Sequence, residues 1–473
     1  MFNYSEEKDI DFFKKCVNLN KIRKLIIYED KSKEEKYFYL IQRHPSQIGK
    51  IKLQKKTKMA DLFSLITSAN LLNNLLYLKL NLTSFNKKEI NLIENLNLFK
   101  SLNYLELENF HFFDKNVIFE LKLVSLRVLK LYYCDIIAIS NNCSFHLKEL
   151  YIIKSKIENK NSSILKFPNL EKCKIDFYLD DDNNNQNDEA RFNSKFDFSS
   201  MNNLKILDCE ANDFLMFKNT SLESLTVLSN DKDNSKEKEK RIIEKIISIK
   251  SLKELALSLK LLDDNDISRI QGVNASVEKI TIHWHKSDQD SSVINLQKKF
   301  PNVNNFSLIP VNDSHSTNIQ IEEKVDCKIN KLTLYGVKFN IRLYCLQFQN
   351  LVEFDLILFN KEFNGIKETI PFFSNHCHLI FKSLKSFKFR SFGIEFELLN
   401  NICDNLEKMP NLKTLILKCY IEVDKSFYDK LNKKISLLKL NDIKIELLKP
   451  YTYDNENEKL INSFNNVGII IRK

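Results

Sequence analysis

Apolar residues return along the chain in one figure: an apolar position, two variable ones, a second apolar position, one variable, and a third apolar position. Leu102-x-x-Leu105-x-Leu107, Leu126-x-x-Leu129-x-Leu131 and Leu147-x-x-Leu150-x-Ile152 follow one another, and Leu204, Leu222 and Leu252 open further copies. Val277, Val303, Ile329, Leu351, Leu384, Leu412 and Ile435 continue the series, and weaker copies start at Ile22, Ile48, Leu75, Leu170 and Phe464. That makes about 18 copies at a mean step of roughly 26 residues, a period that marks stacked repeat units. Within a copy the fourth and sixth positions alternate with polar neighbours, which predicts a short strand with one apolar face. The third, fifth and seventh positions then share the opposite face.

The segments between copies carry a different period. Phe396 to Met409 has apolar residues at helical spacing and Pro410 directly after it, and Val293 to Phe300 before Pro301 repeats that grammar. Ile90 to Leu96 reads the same way. Two excursions are polar. Residues 180–190 offer no apolar anchor and are expected to form a loop. The run 231–241 mixes charges and leads into Ile242-Ile-Glu-Lys-Ile-Ile, which predicts the solvated start of a helix. Ser5 to Val17 can form one helix with Ile10, Phe13 and Val17 on a face, so residues 1–20 are expected to cap the first repeat and residues 21–473 to form one solenoid.

This arrangement resembles the leucine-rich-repeat family over nearly the whole chain, and the strand–helix alternation is similar to its ribonuclease-inhibitor branch. The resemblance implies an α/β solenoid, a horseshoe with a parallel concave sheet and with helices and irregular loops on its convex side. It also implies Asn or Cys three residues after the last strand Leu, bonding the adjacent coil. Cys134, Asn212 and Asn230 match that position, whereas Phe110, His285, Phe359 and Tyr420 depart from it. The coils are therefore expected to be irregular. Relatives that serve ubiquitin ligases carry a helical F-box before their repeats, and the first twenty residues leave room for a cap rather than for such a module.

Composition removes several functions. The 473 residues include 6 glycines, no two of them close together, so no glycine-rich phosphate loop of Rossmann or Walker type exists. The 10 cysteines show no C-x-x-C, and Cys173 and Cys209 fall at core positions, which favours a reducing cytoplasmic or nuclear setting over secretion. No apolar stretch approaches a membrane span of about 18 residues, and the first residues are acidic where a secretory leader is basic. Net charge is +10, and about +7 of it lies in the first sixty residues, counting roughly 15 basic against 8 acidic side chains.

Candidate chemistry is sparse. His283-Trp-His285 and His376-Cys-His378 each offer two ligands on one strand face, short of a zinc set, and the acids of 180–190 lack the ligand spacing of a calcium loop. No metal, cofactor or catalytic constellation is expected, and the chain reads as no enzyme. The expected function is a non-catalytic scaffold that binds a protein on the concave face. The strand-face residues that carry this reading are Lys24, Tyr28, Lys50, Lys52, Tyr77, Lys79, Tyr104, Lys130, Tyr132 and Tyr151. Tyrosine and lysine predominate there, and the lysines suit an acidic partner. Two alternatives stand beside it: a nucleic-acid or polyanion binder using the basic N-terminal repeats, and a ligase substrate receptor with a degenerate adaptor segment.

Overall fold

The computed structural model describes residues 24–28, 50–54, 75–81, 95–110, 119–134, 137–155, 157–158, 165–176, 196–197, 200–218, 221–228, 235–259, 264–284, 298–310, 316–320, 328–335, 338–342, 350–358, 381–391, 396–420, 429–430, 433 and 442–448. Backbone contacts divide the chain into two compact units, Met1–Leu222 and Glu223–Lys473. The division falls inside a repeat copy, and neither polar excursion marks it. The expected cap at 1–20 and the loop at 180–190 lie outside the described residues.

In the first unit the strand-like motifs are strands, one per copy. They are β1 (Lys24–Tyr28), β2 (Lys50–Gln54), β3 (Tyr77–Asn81), β4 (Tyr104–Glu108), β5 (Val128–Tyr132), β6 (Glu149–Ile153), β7 (Lys172–Asp176) and β8 (Ile206–Glu210). Each pairs with the next in parallel and with like motif positions opposite one another, as Leu105 faces Leu129 and Leu129 faces Leu150. Parallel pairing of strands some 25 residues apart requires a return crossing for each, and the intervening segments supply it.

The second unit follows the same plan up to its last strand, which departs from the copy expected at Ile435: Leu415 and Leu417 pair with Ile443 and Ile445, five residues beyond the expected Leu438 and Leu440. Strands β9 (Ser224–Leu228), β10 (Glu254–Leu259), β11 (Lys279–Trp284), β12 (Asn305–Pro310), β13 (Lys331–Tyr335), β14 (Glu353–Leu358), β15 (Ser386–Ser391), β16 (Thr414–Tyr420) and β17 (Asp442–Leu448) pair in parallel sequence order. Both units are therefore built on a long parallel sheet with few helices, the pattern of a repeat solenoid.

The helical returns are short. They include α1 (Asn141–His146), α2 (Ala211–Met216), α3 (Lys236–Ser248), α4 (Asp264–Arg269) and α5 (Phe396–Asn405). The mixed-charge run does open a helix, α3, whose N-cap Ser235 accepts a hydrogen bond from the Lys238 amide at 3.2 Å. Ile242, Ile243, Ile246 and Ile247 give α3 its buried stripe. At its other end the fully buried Asn274 donates to the carbonyls of Ile246 and Ile249, adding to the turn bonds these accept from the Ile249 and Leu252 amides. The turn beside it needs glycine, because Gly272 has φ +87°. Helix α5 ends in a 3-10 turn, Leu406–Lys408, just before Pro410. Most of the expected helix at 90–96 lies outside the described residues, and Asn95–Leu98 is a 3-10 turn. Most of the one at 293–300 lies outside the described residues.

Side chains alternate as the motif requires. Leu105, Leu107, Leu129, Leu131 and Leu150 have no exposed area, and Leu255, Leu332 and Leu415 are buried. Cys173 and Cys209 are buried at a fourth and a sixth position of the same apolar face. Cys134 stands where the family pattern expects it, and its Sγ lies 3.4 Å from the carbonyl of Leu107 in the preceding copy. The side-chain ladder that recurs is elsewhere, at the residue just before several of the motifs. Asn169, Asn203, Asn302 and Asn411 donate to the carbonyls of Phe145, Pro168, Ala275 and Lys382, in each case two residues before the preceding motif. Ser125 and Ser276 at the equivalent position donate to Leu102 and Leu252. These bonds tie each turn to its neighbour, at a net contribution of about 1 kcal/mol apiece.

Burial by register makes a paired prediction. Leu129→Ala opens a cavity and is expected to lower unfolding free energy by about 2–5 kcal/mol, while Val128→Ala on the opposite face costs less than about 1 kcal/mol. Urea denaturation of the two variants checks it, and equal losses would refute the assigned faces.

Candidate interaction face

The outward face of the first unit is formed by the third, fifth and seventh motif positions, and in-register pairing lines each position up into a row across the strands. The third-position row reads Lys24, Lys50, Tyr77, Tyr104, Val128, Glu149, Lys172, Ile206. The fifth reads Ile26, Lys52, Lys79, Glu106, Lys130, Tyr151, Lys174, Asp208. The seventh holds Tyr28, Gln54, Asn81, Glu108, Tyr132, Ile153, Asp176 and Glu210. The backbone thus places all ten expected face residues on these rows. The side chains of Lys24, Tyr28, Lys50 and Lys52 lie outside the described residues.

The other six form part of a connected lattice. The rings of Tyr77 and Tyr104 stack with centroids 4.1 Å apart. The Tyr104 hydroxyl donates to Glu106 Oε2 at 2.5 Å, and Lys79 bonds the other oxygen of the same carboxylate. Lys130 lies over both neighbouring rings, 5.4 Å from the centroid of Tyr104 and 4.4 Å from that of Tyr151. Lys172 covers Tyr151 as well, at 5.4 Å, and the Tyr151 hydroxyl donates to Glu149 at 3.0 Å. Farther along, Lys174 pairs with Asp208 at 2.5 Å. Strand spacing near 4.8 Å permits this, since it sets flat rings and long ammonium stems side by side at contact distance.

Protonation follows from the burial. Burial alone would push the Glu106 carboxyl upward, but Lys79, the Tyr104 hydroxyl and Lys130 outweigh it and hold Glu106 below the usual carboxylate range. Burial also opposes the Lys79 charge, and Glu106 and Glu108 more than restore it. Tyr77, Tyr104, Tyr132 and Tyr151 are all raised, burial being the main cause. The phenols are therefore neutral donors at physiological pH.

The lattice was only half legible. Tyrosine and lysine at face positions are visible in the chain, but Glu106, Glu149 and Asp208 are integral to the surface as well. The signal that could have found them is the register itself: Glu106 sits between Lys79 and Lys130 in its row. Residues just past the strands add to the border. Asn109, Tyr133 and Lys154 follow β4, β5 and β6 at positive φ of 58°, 54° and 47°. In a chain so poor in glycine these left-handed turns fall to ordinary residues, at about 1 kcal/mol for tyrosine or lysine. The turn leaves Tyr133 exposed, with Lys154 5.7 Å from its ring centroid.

The second unit presents a different surface. Its fifth-position row runs Thr226, Ala256, Thr281, Ser307, Thr333 before reaching Asp355, which pairs with Arg390 at 2.5 Å. That row is small and hydroxylic, with no aromatic anchor. A cleft of about 500 Å³ at the edge of this unit is lined by Lys250, Lys253, Ser276, Asn302 and Lys328 among others. Its donors hold the chain's own turns: Lys250 bonds the Ile247 and Val273 carbonyls, both at 3.0 Å, and Asn302 bonds that of Ala275.

Among the described residues no group of three or more His, Cys, Asp or Glu could hold a metal ion. His285 and the cluster at 376–378 lie outside them. Cys143 is buried, which pushes its thiol up to about 12, so it is no nucleophile at neutral pH. No helix among the described residues is long and apolar enough to cross a membrane. No protein-family model matches the chain, and no curated protein matches it either.

The Lys79–Glu106 pair yields a pH prediction. Glu106 is depressed in the folded protein, so its contribution is present above the ordinary carboxylate range and is lost as pH falls through the folded value. In Lys79→Met burial acts without its main counterweight, and Glu106 is expected to rise above the ordinary range. Relative to the parent protein, the variant should then lose on the order of 1–3 kcal/mol at pH 7 and recover most of it near pH 4. Urea titrations at the two pH values check this, and a pH-independent difference would contradict it.

Proposed function

We propose that the chain is a leucine-rich-repeat protein, a horseshoe-shaped scaffold that takes no part in chemistry and binds another protein on the outward face of its first unit. The observation that carries this reading is the Tyr77–Tyr104–Glu106–Lys130–Tyr151 lattice. Tyrosines held rigid by stacking and by hydroxyl bonds to carboxylates offer large contact area at little entropic cost on binding, and such residues are enriched where proteins meet. The repeat assignment is supported by the motif spacing and by one in-register parallel strand for each described copy from Ile22 to Leu412. The buried free thiols Cys134, Cys143, Cys173, Cys209 and Cys403 suit a reducing, cytoplasmic or nuclear setting.

The polyanion alternative gains nothing from the described residues, because each described lysine of this face is engaged by a carboxylate or a ring of the same face. The adaptor alternative concerns residues outside those described.

Site-specific photocrosslinking tests the docking face. A benzoylphenylalanine at Val128, half-exposed among the lattice residues, should capture a discrete partner from cells, while the same group at Glu237 on α3 should not. Equal adducts from both positions, or none from Val128, would place the interaction elsewhere.

A further inference from the structure

The docking reading of this face leaves the chemistry of the partner open, and the distribution of charge across its rows narrows it. Lysines stand only at third and fifth positions. The seventh positions of all eight copies carry neither lysine nor arginine, and they hold Glu108, Asp176 and Glu210 together with Tyr28 and Tyr132. The face therefore has an acidic and aromatic border where its strands end, beside an interior in which charge is internally matched. The described lysines are already committed to Glu106, Asp208 and the rings of Tyr104 and Tyr151. An acidic partner, which the sequence favoured, would have to compete with those bonds. A basic one would not.

Resting on that reading of the face, we infer that the seventh-position border of the first unit receives an extended basic segment, with one arginine guanidinium laid on the Tyr132 ring and forked onto Glu108. Glu108 and Tyr132 are direct partners on adjacent strands, so their backbones are about 4.8 Å apart. A planar guanidinium stacked on a ring reaches a carboxylate at that spacing edge-on, while a lysine ammonium satisfies one or the other. Glu108 is accessible for it: its side chain is 31% exposed and its contact to Lys79 is a loose 3.5 Å. Among the described residues no cation lies over Tyr132, unlike Tyr104 and Tyr151. Asp176 lies three strands from Glu108, about 14 Å away, which is roughly four residues of extended chain. Burial, with a smaller push from Asp208, holds the Asp176 carboxyl above its ordinary value despite the opposing charges of Lys154 and Lys174, so a further cation laid on it would still favour its ionised form. The segment is thus expected to carry basic residues about four apart.

Fluorescein-labelled sixteen-residue peptides of glycine and serine test this against the full chain, with arginine, lysine or glutamate at every fourth position. The arginine peptide should bind, the lysine peptide about fivefold more weakly, and the glutamate peptide not at all. Glu108→Gln and Tyr132→Leu should each weaken arginine-peptide binding about fivefold or more. A Glu237→Gln, Glu244→Gln variant, which removes two exposed charges from α3, should change it less than about twofold. Circular dichroism confirms that each variant is folded, and hydrogen exchange locates the peptide. Tighter binding of the glutamate peptide with protection on β3–β8 would overturn the basic partner and leave the docking face standing. Arginine-peptide binding that ignores both variants, protection only outside those strands, or no binding by any peptide would overturn the inference itself. The Val128 crosslink decides the docking face independently.

Discussion

A five-residue strand with leucine at alternate positions cannot bury those leucines against itself, and in this chain the neighbouring copy is what covers them. The parallel backbone ladder fixes how the cover is made. Like positions face like positions, so Leu105 meets Leu129 and Leu129 meets Leu150. A slip of one residue would send every leucine to the outward face and every lysine into the core. Register, strand polarity and the sidedness of the surface therefore stand or fall together. The asparagine bonds before four of the motifs reinforce the same register at the strand starts, and the left-handed turns at Asn109, Tyr133 and Lys154 hold it at the strand ends.

Once register is fixed, the outward surface is no longer a list of side chains but three rows. Identity at one motif position repeats across strands a few ångströms apart, which is how a tyrosine on β3 comes to stack on a tyrosine on β4. It is also how Lys130 comes to lie between two rings that are 47 residues apart in sequence. Ion pairs on an open face usually contribute little, but Glu106 is nearly buried beneath Lys79 and Tyr104, so its pairing matters for both stability and shape. The same bonds take up the described lysines of the face, and its border row is acidic.

The strand positions and the sidedness were legible in the sequence for the described copies up to Leu412, because a period of two inside a period near 26 is a strong signal; at the last strand the Ile435 figure misled, since Ile443 and Ile445 take the core positions. Leu255, Leu332 and Leu415 are buried as that pattern requires. Helix α3 and the end of α5 near Pro410 could be read from apolar spacing and from proline. Two things could not. The ladder that binds neighbouring turns uses Asn169, Asn203, Asn302 and Asn411 ahead of the motif rather than residues after it, and a chain rich in asparagine hides such positions. The role of Glu106 was hidden as well: in sequence it is an acid among lysines and tyrosines. Only pairing with Lys79 on one strand and Lys130 on the other shows it to be the centre of the lattice.

The most direct measurement is the proximity of two rings that lie 27 residues apart in sequence. With tyrosine selectively carbon-13 labelled, and with Tyr77→Phe and Tyr104→Phe proteins to assign the signals, proton NMR should show a ring-to-ring cross-peak between Tyr77 and Tyr104. Their centroids are 4.1 Å apart, well within reach of that effect. The cross-peak would establish at once that β3 and β4 are neighbours and that their third positions are paired in register. Its absence, with both signals assigned, would contradict the stacking on which every other statement about this face depends.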